Sequence, residues 1–190
     1  GAQDRAWWDT LPARPPVATS WSYTSQYVPM RDGVRLAIDT YLPDGVARPL
    51  ATIVEQTRYR RQLLFRDAAR NARPSPLGSL VGFLRAGYAV VVVDVRGTGA
   101  SFGHRTTEFS PAEVRDGWDV LDWIVAQPWS NGVVGATGVS YPGTTAELMG
   151  TLGHPALKAV APHFSIYDIY ADVGFPGGIF LEPFMPAWGS

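Results

Sequence analysis

The stretch Gly138-Val139-Ser140-Tyr141-Pro142-Gly143 decides how the rest of this chain is interpreted. An apolar run over residues 132–137 precedes it, and a segment of helical character over residues 144–152 follows it. The order is therefore a strand, a serine between glycines, and a helix. Such a sharp turn strains the backbone of the serine and lifts its hydroxyl clear of the sheet, while the first N–H groups of the helix point to where an oxyanion would form. The pattern predicts that Ser140 is a nucleophile; the ordinary alternative is a Gly/Ser/Pro turn that joins a strand to a helix.

The segments before and after this turn alternate between strand and helix patterns. Residues 34–42 alternate apolar and polar side chains, as a half-buried strand does, and Arg31-Asp32-Gly33 would join them to an earlier strand over residues 26–30. Two apolar runs, residues 50–54 and 88–94, are typical of parallel strands buried on both faces. The remaining predicted elements are two helices and a last strand, over residues 76–87, 110–127 and 157–162. The sequence thus predicts an α/β fold: a doubly wound, mostly parallel sheet with an N-terminal antiparallel hairpin and right-handed crossovers.

The helix over residues 110–127 starts at Ser110-Pro111-Ala112-Glu113, an N-cap, a proline and an acid in the order that favours a helix start. Its buried stripe is expected to consist of apolar residues at helical spacing: Val114, Trp118, Leu121, Ile124 and Val125. Three aspartates of the same helix are spaced three residues apart, at positions 116, 119 and 122. A carboxylate row away from an apolar stripe is usually solvated, and we therefore expect no metal site there.

A glycine-rich loop, residues 95–103, follows the predicted strand over residues 88–94. Its spacing differs from that of a dinucleotide-binding loop, and no helix of adequate length starts inside it to hold a pyrophosphate. We expect instead that Asp94 and Arg96 form an ion pair that braces this loop.

Two further segments lack a strand pattern. Residues 1–25 combine tryptophans with prolines, which oppose helices and central strands, so we expect an extended N-terminal arm that its tryptophans anchor. Residues 55–73 are rich in arginine and follow the end of a parallel strand, which is where α/β sheets bind ligands. Most of these arginines are expected on a solvated loop and helix face.

Composition excludes several classes of function. The chain has 190 residues, of which 46% are hydrophobic and 17% charged, as expected for one globular domain. A net charge of −1 gives no electrostatic basis for binding nucleic acid, and no apolar stretch approaches the roughly 20 residues that a membrane helix needs. The absence of cysteine excludes disulfides and thiolate metal sites. The compartment stays open, either cytoplasmic or secreted or periplasmic after removal of a signal peptide, and so does the formation of a homo-oligomer.

Six motifs occur in order along residues 26–178: Met30-Arg31-Asp32-Gly33-Val34-Arg35-Leu36, Asp94-Val95-Arg96-Gly97-Thr98-Gly99-Ala100-Ser101, Asp116-Gly117-Trp118-Asp119, Gln127-Pro128-Trp129, Gly138-Val139-Ser140-Tyr141-Pro142-Gly143 and His154-Pro155-Ala156-Leu157-Lys158-Ala159. Together they resemble the X-Pro dipeptidyl-peptidase and cocaine-esterase-like (CocE/NonD) branch of the α/β-hydrolases. That branch also includes glutaryl-cephalosporin acylases and α-amino-acid ester hydrolases. The resemblance is specific for the family and not for a substrate.

The resemblance implies hydrolysis of a small-molecule ester, or of an amide or peptide, through an acyl-serine and without a metal or cofactor. Ser140 would stand on a nucleophile elbow, and the oxyanion hole would consist of the backbone N–H of Tyr141 and the hydroxyl of Tyr59. Family members often have a proline directly before that tyrosine, where this chain has Arg58. An esterase or acylase is the first interpretation and an X-Pro dipeptidyl-peptidase the second. A non-catalytic binding or scaffold fragment is the alternative from another class.

The sequence contains no histidine at a position that would suit the general base of such a site. In this fold the acid and then the histidine follow the nucleophile along the chain. None of the three histidines fits that order: His104, His154 and His163. We therefore expect the Asp and the His on a missing downstream segment or a second chain, the C-terminal remainder of the same enzyme, together with a helical cap and a β-sandwich. Residues 26–170 would form the N-terminal part of the hydrolase domain, and the aromatic segment over residues 171–190 would begin the cap or line the pocket entrance.

Overall fold

The computed structural model describes residues 15–59, 61–66, 72–76 and 78–188. The strands in these ranges are β1 (Trp21–Pro29), β2 (Arg35–Pro43), β3 (Leu50–Thr57), β4 (Leu63–Arg66), β5 (Ala72–Ser75), β6 (Ala89–Asp94), β7 (Ser130–Val139) and β8 (Leu157–His163). The α-helices are α1 (Gly78–Arg85), α2 (Pro111–Val125), α3 (Tyr141–Thr151) and α4 (Met185–Trp188), and a π-helical turn, Ile169–Gly174, lies between β8 and α4. Six strands form one sheet in the order β1-β2-β6-β3-β7-β8, and β4 pairs with β5 in a separate hairpin.

The six-stranded sheet has an antiparallel part and a parallel part. β2 is antiparallel to its neighbours β1 and β6, whereas β6, β3, β7 and β8 are parallel to one another. Helix α1 lies between β3 and β6 along the chain, α2 between β6 and β7, and α3 between β7 and β8. The carboxyl ends of β3, β6 and β7 therefore meet at one edge of the sheet. This topology confirms the predicted doubly wound, mostly parallel sheet with an antiparallel hairpin.

Helices cover both faces of the sheet because the side chains of the buried strands alternate in direction. Leu121 of α2 and Met149 of α3 belong to one core, together with Val91 of β6. Leu84 of α1 belongs to a second core, together with the adjacent Val90. Helices α2 and α3 therefore lie on the same face of the sheet, and α3 begins at the turn around Ser140.

Several element boundaries differ from the sequence prediction. β1 already begins at Trp21, inside the expected arm, because its backbone pairs with β2 up to Pro43; the arm up to residue 14 lies outside the described residues. β3 continues to Thr57 beyond its apolar run, and its polar end is buried as well. The β4–β5 hairpin lies within the arginine-rich segment that was expected to be a loop and a helix face.

The buried face of α2 contains Leu121 and Ile124 of the predicted stripe but not Val125. Val125 is 41% exposed, and Val120 is fully buried in its place. Asp116 is buried rather than solvated, since its carboxylate accepts two hydrogen bonds from the guanidinium of Arg96, at 2.7 Å from Nε and 2.5 Å from Nη2. Asp116 on α2 is thus buried together with the guanidinium of Arg96.

The predicted ion pair between Asp94 and Arg96 is wrong. Arg96 pairs with Asp116 and, at 3.0 Å, with Asp32. Asp94 follows Val93, which belongs to the core under α2 and α3, so the Asp94 side chain points to the opposite face of the sheet, where it pairs with Arg61. Asp94 and Arg96, two positions apart in the sequence, thus have their partners on opposite faces of the sheet.

The other aspartates of α2 also have partners. Asp119 pairs with Arg31 at 2.5 Å, and Asp122 lies 3.0 Å from Nε2 of His154. The described part of the chain contains no group of three metal-ligating side chains. Within the same ranges, no helix is long and apolar enough to cross a membrane.

Candidate active site

Ser140 lies at the turn from β7 to α3 in a backbone conformation that residues other than glycine rarely adopt. Its φ is 65° and its ψ −122°, and its N–H donates to the carbonyl oxygen of His163 at 2.9 Å. The neighbouring glycines are required sterically: a Cβ at Gly138 would overlap Pro142, and one at Gly143 would overlap the carbonyl oxygen of His163. The backbone on either side of Ser140 is therefore held in place by close contacts at Gly138 and Gly143. A larger residue at either glycine would prevent these contacts.

The Ser140 hydroxyl is left available by this geometry. Although Ser140 is the N-cap of α3, its side chain makes no capping hydrogen bond, and in the described part of the chain it donates to no histidine. Tyr141 follows as the first residue of the helix, where a backbone N–H has no partner within the helix. The positive end of the helix dipole adds to the attraction for negative charge at this point.

The side chain of Tyr141 is buried behind the turn. Its hydroxyl donates to Oε1 of Glu113, and its ring stacks on Phe109 with the centroids 4.3 Å apart. Burial raises the pKa of Glu113 to about 7, and burial together with the Glu113 carboxylate raises the pKa of the Tyr141 phenol. From the sequence, Glu113 was expected only to favour the start of α2; its contact with Tyr141 joins α2 to the first turn of α3.

The side chain of Tyr59 lies beside that of Tyr141. The two rings meet edge to face with centroids 6.1 Å apart. The Tyr59 side chain is 47% exposed, its N–H donates to Oγ1 of Thr57 at 3.1 Å, and its hydroxyl accepts a hydrogen bond of 3.2 Å from Nε1 of Trp188. Since the hydroxyl accepts here, its own proton stays available for donation.

Arg58, which takes the place of the family's proline, packs among the aromatic residues of this site. Its guanidinium lies 5.2 Å from the centroid of the Trp188 ring and 5.9 Å from those of Tyr59 and Tyr141. It also forms an ion pair of 2.6 Å with Glu108. Arg58 and Trp188 thus flank the candidate oxyanion donors, and the sequence pattern did not indicate either contact.

The histidines of the chain do not complete a catalytic triad in the described residues. His154 is buried, and its ring accepts from the N–H of Ala156 at 3.1 Å and lies 3.0 Å from Asp122 on α2. His163 contributes its carbonyl oxygen to the turn, and His104 lies in the exposed loop after β6. The arrangement therefore holds a candidate nucleophile and candidate oxyanion donors without a neighbouring base.

The sheet order, the helices on both faces and a serine at the turn from β7 to α3 define a protein of the α/β-hydrolase class. A CocE/NonD family hydrolase from Staphylococcus aureus has a similar solved structure, with a TM-score of 0.68 and 26% identity over 82% of this chain and 29% of that one. The sequence profile of the X-Pro dipeptidyl-peptidase (S15) family matches residues 32–190. The chain belongs to this family and to its CocE/NonD branch.

Two curated relatives are similar over most of the chain. A Mycobacterium tuberculosis (strain CDC 1551 / Oshkosh) protein named as a serine esterase is 47% identical over 201 residues, which cover 100% of this chain and 32% of the relative. Cocaine esterase from Rhodococcus sp. (strain MB1 Bresler) is 37% identical over 166 residues, 86% of this chain and 27% of that enzyme. The chain thus spans about a third or less of the length of these relatives.

Proposed function

We propose that this chain carries the nucleophile of a serine hydrolase that cleaves an ester or amide bond through an acyl-serine. Ser140 is the nucleophile, and the N–H of Tyr141 and the hydroxyl of Tyr59 form the oxyanion hole. The observation that carries the proposal is the backbone of Ser140, a non-glycine residue held at φ 65° between β7 and α3. Strain of this kind persists only where the surrounding structure enforces it, and it is concentrated at functional sites.

The proposed reaction follows from what these groups can do. The Ser140 Oγ attacks the carbonyl carbon while a general base takes its proton, and the carbonyl oxygen becomes an oxyanion that Tyr141 and Tyr59 stabilise by donation. Collapse of this intermediate expels the alcohol or amine, which receives the proton, and leaves the acyl group on Ser140. Water, deprotonated by the same base, then attacks the acyl-serine and releases the carboxylic acid and the free serine.

We further propose that the base and its orienting acid come from the C-terminal remainder of the same enzyme, as downstream sequence or as a second chain. The exposure of β8 supports this. It is an edge strand parallel to β7, and its residues are exposed from Lys158 to His163. Parallel strands are normally covered on both faces, and Val139, directly before Ser140, is 57% exposed on the same side of the molecule. Polypeptide that covers this edge would reach the turn at Ser140.

Esterase or acylase chemistry is the first candidate, because the relative named as a serine esterase matches the entire chain. An X-Pro dipeptidyl-peptidase is the second, and the matching X-Pro dipeptidyl-peptidase (S15) family favours it. Peptides that carry a free N-terminus before proline, tested beside aryl esters and aryl amides, distinguish the two by their kcat/KM. A binding or scaffold role without catalysis is the alternative from another class, since a fold by itself does not establish a reaction.

Labelling with an organophosphonate tests the proposal. The complete product of the gene that encodes this chain is analysed by intact mass spectrometry before and after treatment with an aryl phosphonate, and the adduct is mapped by peptide sequencing. We expect one adduct, on Ser140, that Ser140→Ala abolishes and Ser22→Ala, which removes an exposed serine of β1, leaves unchanged. An unlabelled, folded protein without esterase or peptidase activity would contradict the proposal and favour the scaffold role.

A further inference from the structure

Two buried carboxylates lie on neighbouring strands near the candidate site. Asp39 of β2 is fully buried and Asp94 at the end of β6 is 2% exposed. Asp39 pairs in register with Val92, two residues before Asp94, so both carboxylates point to the α1 face of the sheet. Removing two negative charges from water at neighbouring positions is costly unless a cation accompanies them.

Arg61 supplies that cation and binds both carboxylates at once. Its Nε donates to Oδ1 of Asp39 at 2.9 Å, and its Nη1 donates to Oδ2 of Asp94 at 2.6 Å. Its backbone N–H donates to the other oxygen of Asp94 at 3.2 Å. The contact therefore fixes both the side chain and the main chain of Arg61. We refer to Arg61, Asp39 and Asp94 as the Arg61 clamp.

Within the Arg61 clamp, Arg61 itself follows Tyr59 by two residues in the segment after β3. The Tyr59 side chain is 47% exposed and contacts the Tyr141 ring and the indole N–H of Trp188. Because it is only partly packed, its direction also depends on its own backbone, which lies two residues before Arg61. Before it, Arg58 is bound to Glu108 at 2.6 Å, and after it the Arg61 clamp ties the loop to two strands of the sheet.

The carboxylate of Asp94 is itself held rigidly. Its Oδ2 also accepts from the N–H of Ala100 at 2.9 Å, and a Cβ at Gly99 would overlap its carboxyl group. The loop after β6 thus contacts the same carboxylate oxygen that Arg61 binds. A side chain that is packed in this way can act as a fixed anchor for the neighbouring loop.

We propose that Arg61 is a positioning residue of the reaction: through the Arg61 clamp it aims the Tyr59 hydroxyl at the oxyanion on the carbonyl bound at Ser140. This inference rests on the proposed function. Arg61 touches no reacting atom; it acts through Tyr59, whose displacement by as little as about 1 Å is enough to weaken an oxyanion contact strongly. A buried ion pair of this kind is weak evidence that Arg61 stabilises the fold. The geometry supports instead a role in positioning Tyr59.

A double-mutant cycle tests the inference in the complete gene product. With a p-nitrophenyl ester as substrate, we expect Arg61→Gln to lower kcat roughly tenfold or more with KM changed less than about threefold, and Arg61→Lys to recover part of the loss. In a Tyr59→Phe background, Arg61→Gln should cause less than about a twofold further loss, since the hydroxyl that it positions is already absent. Equal losses in both backgrounds would overturn the positioning role.

Two further measurements separate this inference from the proposed function. Hydrogen exchange of the peptide that contains residues 58–62 should accelerate in Arg61→Gln and stay unchanged in Arg96→Gln, which removes a comparably buried arginine from its pair with Asp116. Unchanged exchange in Arg61→Gln would overturn the Arg61 clamp, whether or not the protein is an esterase. If wild-type Ser140 takes no phosphonate, the proposed function fails and the positioning of an oxyanion donor by Arg61 fails with it, whereas the exchange result still decides whether Arg61 holds the loop.

Discussion

At the scale of single residues, Tyr59 is the proposed site residue whose chemistry can be removed with the least structural damage. Its hydroxyl has one described partner, the indole N–H of Trp188 at 3.2 Å, and its side chain is half exposed. We expect Tyr59→Phe to lower kcat/KM for a p-nitrophenyl ester by about 10²-fold, mainly through kcat, because one oxyanion donor is lost. Tyr27→Phe, at a similarly exposed tyrosine on β1, is the matched control and should retain full activity. A Tyr59→Phe enzyme with wild-type kcat would assign the second donor to another group.

Gly143 offers a second prediction, about the shape of the turn. A Cβ at this position would overlap the carbonyl oxygen of His163, which accepts the N–H of Ser140. We expect Gly143→Ala to destabilise the fold by about 3 kcal/mol, since backbone has to move to accommodate it. Gly82→Ala, on an exposed position of α1 with open space around it, should be neutral or stabilise by up to about 1 kcal/mol. Equal melting temperatures of the two variants would show that the turn around Ser140 can shift to accommodate the added Cβ, and would contradict the prediction.

The shape of the turn at Ser140 could be predicted from the sequence, because it follows from local rules. A serine between glycines at the end of an apolar run predicts a strained turn, and Ser140 has the expected positive φ. Tyr141 and Tyr59 were assigned as oxyanion donors by resemblance; their rings are in edge-to-face contact, and their role stays a prediction. Glu113 and Arg61 were missed, because each contacts its partners across more than 20 residues and only the packing of the elements creates those contacts.

At the scale of elements, the junction of α2 and α3 carries a pH-dependent prediction. Burial raises the folded-state pKa of Glu113 from its ordinary 4.5 to about 7. Between these values the unfolded chain releases the proton that the folded protein still holds, so stability falls as the pH rises from about 4.5 to about 7. The contribution of this carboxyl is at most about 3 kcal/mol. Glu113→Gln keeps an acceptor for the Tyr141 hydroxyl and cannot ionise, and its melting temperature should depend less on pH in this window.

Glu55 on β3 is the matched control for that experiment. Burial alone raises its pKa to about 7, and its Oε1 has no hydrogen-bond partner in the described structure. Glu55→Gln should flatten the pH dependence of the melting temperature by a similar amount, while only Glu113→Gln changes a group in contact with Tyr141. If neither variant alters the slope between about pH 5 and 7, the two carboxyls are ionised in the folded protein and the assigned pKa shifts are wrong.

Element prediction succeeded where periodicity was unambiguous and failed where burial depended on a distant partner. The β-branched run of β6 and the capped start of α2 appear where expected. The burial of Asp116 on α2 was mispredicted, because its carboxylate is buried against Arg96, a residue of the loop after β6. The β4–β5 hairpin was not predicted, because the arginines of this segment suggested solvent exposure. Its sequence also lacks the alternation of apolar and polar side chains that indicates a strand.

At the scale of the whole molecule, the exposed edge of the sheet predicts self-association of the isolated 190-residue chain. The outer strand β8 presents Ala159, Val160 and Ala161 to solvent, and unpaired edge strands with apolar side chains pair with other chains. We expect Val160→Lys to reduce the concentration-dependent light scattering of the isolated chain. Thr151→Lys, at an exposed position near the end of α3, adds the same charge away from this edge and should have a smaller effect. Equal scattering by the two variants would mean that β8 is not the surface responsible.

The final prediction concerns the missing base. Ser140 donates to no histidine in the described residues, and the chain covers 32% of its M. tuberculosis relative. A serine without its general base retains only weak residual catalysis, because oxyanion stabilisation and binding remain while proton transfer is lost. The isolated chain should therefore hydrolyse a p-nitrophenyl ester at least about 10³-fold more slowly than the complete gene product. Supplying the remainder of the gene product as a separate polypeptide should restore activity in the wild type and fail to do so in Ser140→Ala. Full turnover by the isolated, folded chain would place a working base within these 190 residues and refute the division of the triad proposed here.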